Sequence, residues 1–257
     1  MAIKMIVTDL DGTLLRTDKT ISTRTKNALR LTQESGIKNV YATGRGGSAD
    51  IIVPPELFDG KITMNGSVAR AAEKIVYNCL IPCLTARHFL VACDKRGLKM
   101  TSEINGMHHT NFVIPDEWAS VVTNWEIVDF SIHNKDAEKI YTYDLTSEDI
   151  FFLQEALPDE LYMVMAVDGL AMIMHKEATK AKALSALADV WDIKQSEIVA
   201  FGDDLNDLDL LSYVGVGVAM GNALNKVKEA AHIVCDTNDN DGVAKWLEKN
   251  ILQGDSK

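Results

Sequence analysis

Two carboxylates, Asp9 and Asp11, stand two residues apart just after the apolar, β-branched run Ile3 to Thr8. On an extended chain, side chains two apart face the same way, so the pair is expected to point into one space. Gly12 lets the chain turn away tightly and keeps that space open. Two close carboxylates repel unless something positive sits beside them. Mg²⁺ suits such a pair, because it prefers oxygen ligands and leaves room for waters and phosphate. A plain turn carrying two solvated acids is the competing explanation. A second acidic group, Gly202-Asp203-Asp204-Leu205-Asn206-Asp207, lies far downstream. Acids at a helix start often serve only as caps. That explains one or two of these residues but not the whole set. Asp203 therefore reads as a metal ligand, with Asp207 behind it or acting through water. Between the two groups, Ala42-Thr43-Gly44-Arg45 offers a hydroxyl and a guanidinium. Lys180 opens a helical stretch, where the helix dipole disfavours a cation; this hints at a partner anion. Standing alone, it would read as a solvated surface lysine.

The elements that must position these residues alternate between strand and helix at both ends of the chain. Strands are expected at Ile3–Thr8, Lys38–Thr43, Lys61–Met64, Ile198–Phe201, Gly215–Met220 and Ile233–Cys235. Helices are expected from a Ser22 cap to Glu34, over Thr179–Trp191 and Asp204–Tyr213, from an Asn222 cap to Ala231, and over Val243–Asn250. Such alternation predicts a parallel sheet covered on both faces, with ligands beyond the carboxyl ends of its strands. The expected strand ends carry Asp9, Thr43, Asn65 and Asp203. The middle is different: two helical stretches, Thr85–Arg96 and Ser147–Leu157, lie among strand-like pieces, with hairpin signals at Asn105-Gly106 and Asp168-Gly169. The fold class is thus α/β, a parallel-sheet core at residues 1–80 and 177–257, with an α+β insertion at 81–176. The hairpin-like stretch Glu103 to His109 is rich in groups able to bind a polar body. The acidic run Asp236 to Asp241 reads as a solvated turn before the last helix.

Composition narrows the classes. The chain has 257 residues, 47% of them hydrophobic and 25% charged, which excludes global disorder. A formal net charge of −11 would repel a nucleic acid from the chain as a whole. No uncharged apolar run approaches the roughly 18–20 residues that span a bilayer, and no signal peptide is expected. Cys79, Cys83, Cys93 and Cys235 form no metal-ligand pair and no disulfide framework. A reduced, cytoplasmic protein is expected, with no membrane and no nucleic acid among its partners; oligomeric state is not legible.

Taken in order, the Asp pair, the hydroxyl, the lysine and the acidic cluster resemble the four motifs of the haloacid dehalogenase (HAD) superfamily. They are Asp9-Leu-Asp11-Gly-Thr-Leu, Thr43 in Ala-Thr-Gly-Arg, Lys180, and Gly-Asp203-Asp-Leu-Asn-Asp207. Thr63-Met-Asn-Gly66, Gly217-Val-Ala-Met-Gly-Asn-Ala223 and Asp241-Gly-Val-Ala244 resemble the Cof-type group within it. The likeness spans essentially the whole chain. It departs before Lys180, at Met174-His-Lys-Glu-Ala-Thr179, where Pro and Gly are usual, and at Ala181 and Gly46-Gly47. It implies a Rossmannoid core with a class II, subtype B cap, and a phosphatase of small phosphorylated metabolites such as sugar phosphates. In that reading Asp9 is the nucleophile and Asp11 the acid and base. Mg²⁺ is held by Asp9, the backbone carbonyl of Asp11, Asp203 and, at one remove, Asp207. Thr43 and Lys180 hold the phosphoryl group, Asn206 orients the phosphate or Lys180, and Gly44, Arg45 and Asn65 lie against the substrate. A phosphomutase of the same superfamily, a phospho-accepting signalling module and a metabolite-binding protein without catalysis are the competing readings.

Overall fold

The structure is a computed structural model that describes residues 2–119, 122–165 and 169–255. Of the two hairpin signals, Asp168 lies outside the described residues. The chain forms two compact units. One joins the residues up to Asn78 with those from Thr179 onward; the other is Cys79–Ala178.

The first unit is built on an eight-stranded sheet. Its strands are β1 (Met5–Thr8), β2 (Lys38–Ala42), β3 (Gly60–Thr63), β4 (Val68–Ala71) and β5 (Lys74–Asn78), then β12 (Ile198–Gly202), β13 (Val216–Ala219) and β14 (Ile233–Val234). Their order is β14-β13-β12-β1-β2-β3-β4-β5. Pairing is parallel from β14 to β3 and antiparallel across β4 and β5. Strand β1 is central and fully buried, as its unbroken apolar run requires. The hairpin of β4 and β5 was not expected. Its residues lack a clean alternation, and Ala72 turns it with φ of 48°.

The helices of this unit are α1 (Thr23–Glu34), α2 (Ala49–Ile52), α5 (Lys180–Val190), α6 (Leu208–Tyr213), α7 (Asn225–Ala230) and α8 (Gly242–Asn250). Ser22 caps α1, its hydroxyl accepting from the Thr25 amide. Thr179 caps α5 in the same way, through the Lys182 amide. The buried stripe of α5 is Lys180, Ala183, Leu184, Leu187 and Ala188. Those offsets of three, four, seven and eight are one face of a helix. Helix periodicity thus carries Lys180 into the interior together with the apolar residues. Asn222 does not cap α7, which begins three residues later; its side chain is engaged elsewhere, as described below.

The inserted unit has helices α3 (Cys83–Lys95) and α4 (Ser147–Ala156) and strands β6 (Met100–Ile104), β7 (Met107–Thr110), β8 (Trp125–Ile127), β9 (Lys139–Thr142), β10 (Leu161–Met165) and β11 (Ala171–His175). They form one sheet in the order β10-β11-β9-β6-β7-β8. Asn105 and Gly106 turn β6 into β7 with φ of 51° and 73°, the two positive angles of a type I′ hairpin. Phe89 and Leu90 of α3 and Leu153 of α4 share a core with Met100, Ile104, Ile140 and Ile173 of the sheet. The alternate residues are polar. Glu103 faces both His108 and Lys139 in register, with Lys139 Nζ 3.1 Å from Glu103 Oε2 and Tyr141 Oη 3.0 Å from His108 Nδ1. His109, one residue on, falls on the opposite face, beside Ser102 and Glu126.

Candidate active site

Because β1, β2, β3 and β12 run parallel, their carboxyl ends bring Asp9, Thr43, Asn65 and Asp203 to one edge of the sheet. Asp9 continues the ladder past β1, its amide donating to the Phe201 carbonyl at 3.0 Å. Its carboxylate is buried, and Lys180 Nζ donates to Oδ1 at 2.6 Å. The same ammonium donates to Asp207 Oδ1 at 2.5 Å. Asp207 Oδ2 in turn accepts the amides of Asp203 at 2.9 Å and Asp204 at 3.2 Å. Gly202 makes this possible, since a Cβ there would lie 2.5 Å from that of Asp207.

Asp203 is held from the other side. Thr13 Oγ1 donates to its Oδ1 at 2.7 Å. Gly12, at φ +78°, passes so close that a Cβ would sit 2.2 Å from Asp203 Oδ2. The Gly12 carbonyl accepts from Asn222 Nδ2 at 2.7 Å, and Asn222 Oδ1 accepts the Asn238 amide at 3.0 Å. The sequence assigns Thr13 no role in the site and reads Asn222 only as a helix cap. Thr13 was legible as part of the Asp-Gly-Thr turn; the partners of Asn222 lie too far along the chain to be seen.

Carboxylate oxygens of Asp9, Asp203 and Asp207 lie within 4.8 Å of one another. One ammonium faces these three acids. Burial, with the charges of Asp207 and Asp203, pushes the Asp9 carboxyl well above the usual range, and Lys180 offsets this only in part. Burial, with the charges of Asp207 and Asp204, pushes Asp203 up to about 6 against the pull of Thr13. Burial disfavours the Lys180 charge, yet Asp207 and Asp9 outweigh that and hold it above its usual range. Hard oxygen donors with uncompensated negative charge fit a divalent cation.

The side chain of Asp11 is not in this group. The chain leaves the extended conformation after Asp9, with the Thr13 and Leu15 amides both turned back to the Leu10 carbonyl. The rule that residues two apart share a face therefore stops applying. The Asp11 carboxylate instead takes Arg45 Nε at 2.5 Å, Arg45 Nη2 at 2.8 Å and Lys19 Nζ at 2.8 Å. Burial works against its charge, but Arg45 and Lys19 outweigh it and hold the carboxyl below the usual range. As a metal ligand, Asp11 could serve only through its backbone carbonyl.

Thr43 is buried, and its hydroxyl accepts the Arg45 amide at 3.1 Å. Its carbonyl accepts the Asn65 amide at 2.9 Å. Gly44 leaves just enough room for the Asn65 side chain, 3.1 Å from where a Cβ would sit. Asn65, at φ 53°, has its Oδ1 bonded by Asn206 Nδ2 at 2.9 Å, while its own Nδ2 is buried with no partner among the described residues. Gly66 lets this turn abut the start of α5, where a Cβ would lie 2.2 Å from the Thr179 carbonyl oxygen. The departures around Lys180 leave it in place: Ala181 donates its amide to Asp209 at 3.1 Å.

The sequence matches the haloacid dehalogenase-like hydrolase family over residues 6–247. A Bacillus subtilis protein named 5-amino-6-(5-phospho-D-ribitylamino)uracil phosphatase YcsE is 30% identical, over 97% of this chain and 96% of its own. BT1666 of Bacteroides thetaiotaomicron, a phosphatase of the HAD superfamily, superposes with a TM-score of 0.82 at 30% identity, over 96% of this chain and 95% of its own. The HAD subclass IIB sugar phosphatase BT4131 superposes with a TM-score of 0.81 at 27% identity, over 96% and 98%. The chain belongs to the haloacid dehalogenase-like hydrolase family, with the α/β core and inserted cap that this fold carries. It is an enzyme of the phosphatase class.

Proposed function

We propose that this enzyme is a Mg²⁺-dependent phosphatase that hydrolyses phosphate monoesters of small polyhydroxylated metabolites through an aspartyl-phosphate on Asp9. The observation that carries this reading is the buried Asp9–Lys180–Asp207 chain with Asp203 beside it. Asp9 and Asp203, with the Asp11 carbonyl, would hold Mg²⁺, and Asp207 would fix the loop behind them. Bound there, Mg²⁺ would favour the ionised form of the carboxylates and draw charge from the phosphoryl oxygens.

The chain's own groups supply the rest. An Asp9 oxygen attacks phosphorus, forming one P–O bond as the bond to the leaving oxygen breaks. Asp11 gives a proton to that oxygen, then takes one from the water whose oxygen attacks the same phosphorus and releases Asp9. Arg45 and Lys19 favour the Asp11 anion, which is the form that second step needs. Lys180 pins Asp9 and offsets charge on the transferring group. The Thr43 hydroxyl and the unpartnered Asn65 Nδ2 are donors for phosphoryl oxygens.

Two relatives support the substrate class. One is named for a phosphorylated ribityl compound and one is a sugar phosphatase. We assign selection of the leaving group to the inserted unit, 81–176 by sequence, whose polar sheet residues Glu103, His108, Lys139 and Tyr141 suit hydroxyl-rich molecules. Among the described residues, no helix is long and apolar enough to cross a membrane, and all four cysteines are free; a cytoplasmic setting accords with both. The test is a panel of phosphorylated metabolites assayed for free phosphate with Mg²⁺ and after chelation. Release of phosphate from sugar or polyol phosphates only with metal is expected. Isomerised substrate without free phosphate would instead mark a mutase.

A further inference from the structure

We propose that Lys19 is a positioning residue for the proton-transfer step, holding the Asp11 carboxylate together with Arg45, with which it shares Oδ1; this rests on the assignment of Asp11 as the group that moves the proton. Lys19 Nζ lies 2.8 Å from Asp11 Oδ1. Its backbone has φ 63°, a left-handed conformation that Gly or Asn adopts more readily than Lys. The turn around it is over-determined. The Lys19 amide donates to the Arg16 carbonyl at 2.9 Å, and the Arg16 amide to the Thr20 carbonyl at 3.0 Å. Asp18 Oδ1 accepts both the amide and the hydroxyl of Thr20, at 3.0 and 2.6 Å.

The same turn is fastened to a distant loop. Arg16 Nη2 reaches Asp241 Oδ1 at 2.8 Å. The Thr17 amide and hydroxyl each bond the Asp239 carboxylate at 2.8 Å. Asn238 Nδ2 donates to the Leu15 carbonyl at 2.9 Å. The acidic run Asp236–Asp241 is therefore not merely a solvated turn: it anchors the turn that carries Lys19. Lys19 is itself exposed, yet its turn is fixed by bonds from a second, distant segment, which a lysine serving only solubility does not need. Strained backbone persists where the surroundings fix it, and it collects at working sites. The mounting delivers one ammonium onto one oxygen of Asp11, and Arg45 bonds both of its oxygens. A carboxylate so held keeps its place while the leaving oxygen and then water come to it; small misplacements of such groups are expensive in rate.

The experiment compares wild type, Lys19→Gln, Lys19→Asn, Lys19→Arg, Asp11→Asn and the Asp11→Asn/Lys19→Gln double variant. Each is assayed for kcat and KM on an alkyl and an aryl phosphate, alongside its unfolding midpoint. Lys19→Gln should lower kcat on the alkyl phosphate by about ten-fold, with KM nearly unchanged and the aryl phosphate much less affected. Lys19→Asn relaxes the backbone and should show the same pattern, so a failure of Lys19→Gln to fold does not shelter the proposal. Lys19→Arg should restore most of the rate. In the Asp11→Asn background, Lys19→Gln should do nothing further. Equal loss on both substrates, a uniform rise in KM, or a further fall in the double variant overturns the role of Lys19. If Asp11→Asn itself fails to discriminate the substrates, the assignment of Asp11 falls, and the role of Lys19 with it. If Asp11→Asn discriminates and the Lys19 variants do not, only Lys19 is excluded.

Discussion

Asp207 divides its carboxylate between Lys180 and the backbone: Oδ1 takes the ammonium at 2.5 Å, and Oδ2 takes the amides of Asp203 and Asp204. Both side chains are fully withdrawn from solvent. One acid thus fixes the lysine that touches Asp9 and the loop that carries Asp203. Asp207→Asn keeps the shape but removes the charge that balances Lys180 and places an amide where only acceptors fit. Breaking a buried pair from one side typically costs about 3–5 kcal/mol. Denaturant unfolding should show a loss of that order, and kcat should fall by roughly a hundred-fold or more. A variant of wild-type stability would mean that Lys180 finds compensation elsewhere.

The acid cluster predicts a pH dependence that metal should erase. Asp203 is pushed from 3.8 up to about 6, chiefly by burial, so the folded state binds this proton more tightly than the unfolded chain does. Stability from this group is fully present below the unfolded value and is lost as pH rises through the folded one. The chelated protein should therefore show a falling unfolding midpoint between about pH 4 and pH 6. Asp203→Asn should reduce that fall, leaving the part that belongs to the raised carboxyl of Asp9, and saturating Mg²⁺ should remove it in the wild type. Identical pH profiles with and without metal would place the cation elsewhere.

Thr13 is expected to act on metal affinity more than on chemistry. Its hydroxyl bonds Asp203 Oδ1 at 2.7 Å, and losing a bond that orients a ligand commonly weakens metal binding about 10- to 100-fold. Thr13→Val should raise the Mg²⁺ concentration needed for half activity by that factor, with kcat largely recovered at saturating metal. A loss that added metal cannot recover would give Thr13 a different role.

The buried Nδ2 of Asn65 has no partner among the described residues; in the proposed function it donates to the phosphoryl group, which every substrate shares. Asn65→Ala should lower kcat/KM by about ten-fold or more, as for a lost hydrogen bond to a charged group, and by the same factor across the metabolite panel. A change in substrate ranking would instead put Asn65 against the leaving group.

The edge of the sheet where the site lies was legible because parallel strands must bring their carboxyl ends together. Asp9, Thr43, Asn65 and Asp203 could therefore be grouped from four separate segments. Lys180 was legible from its electrostatically awkward place at a helix start; that it shares the buried stripe of α5 emerged only with the structure. The direction of the Asp11 side chain was not, because the turn that redirects it begins at Leu10, where strand periodicity ends. Asn222 reads locally as a helix cap, yet it bonds the carbonyl of Gly12, 210 residues away. The acidic run 236–241 reads as solvated, yet its carboxylates serve Arg16 and Thr17. No local pattern encodes partners at such separation. That His108 and His109 must face opposite sides of the inserted sheet follows from strand periodicity once β7 is recognised.

The most direct measurement is to quench the enzyme in acid during turnover, reduce it with borohydride and map the peptides. An aspartyl-phosphate is reduced to the corresponding alcohol, so the modified position reports the nucleophile. Modification at Asp9 in wild type, its absence in Asp9→Asn, and an Asp9→Asn protein that remains folded but does not turn over are expected. A trapped phosphoryl group on any other residue, or phosphate release at the wild-type rate from Asp9→Asn, would contradict the assignment of Asp9.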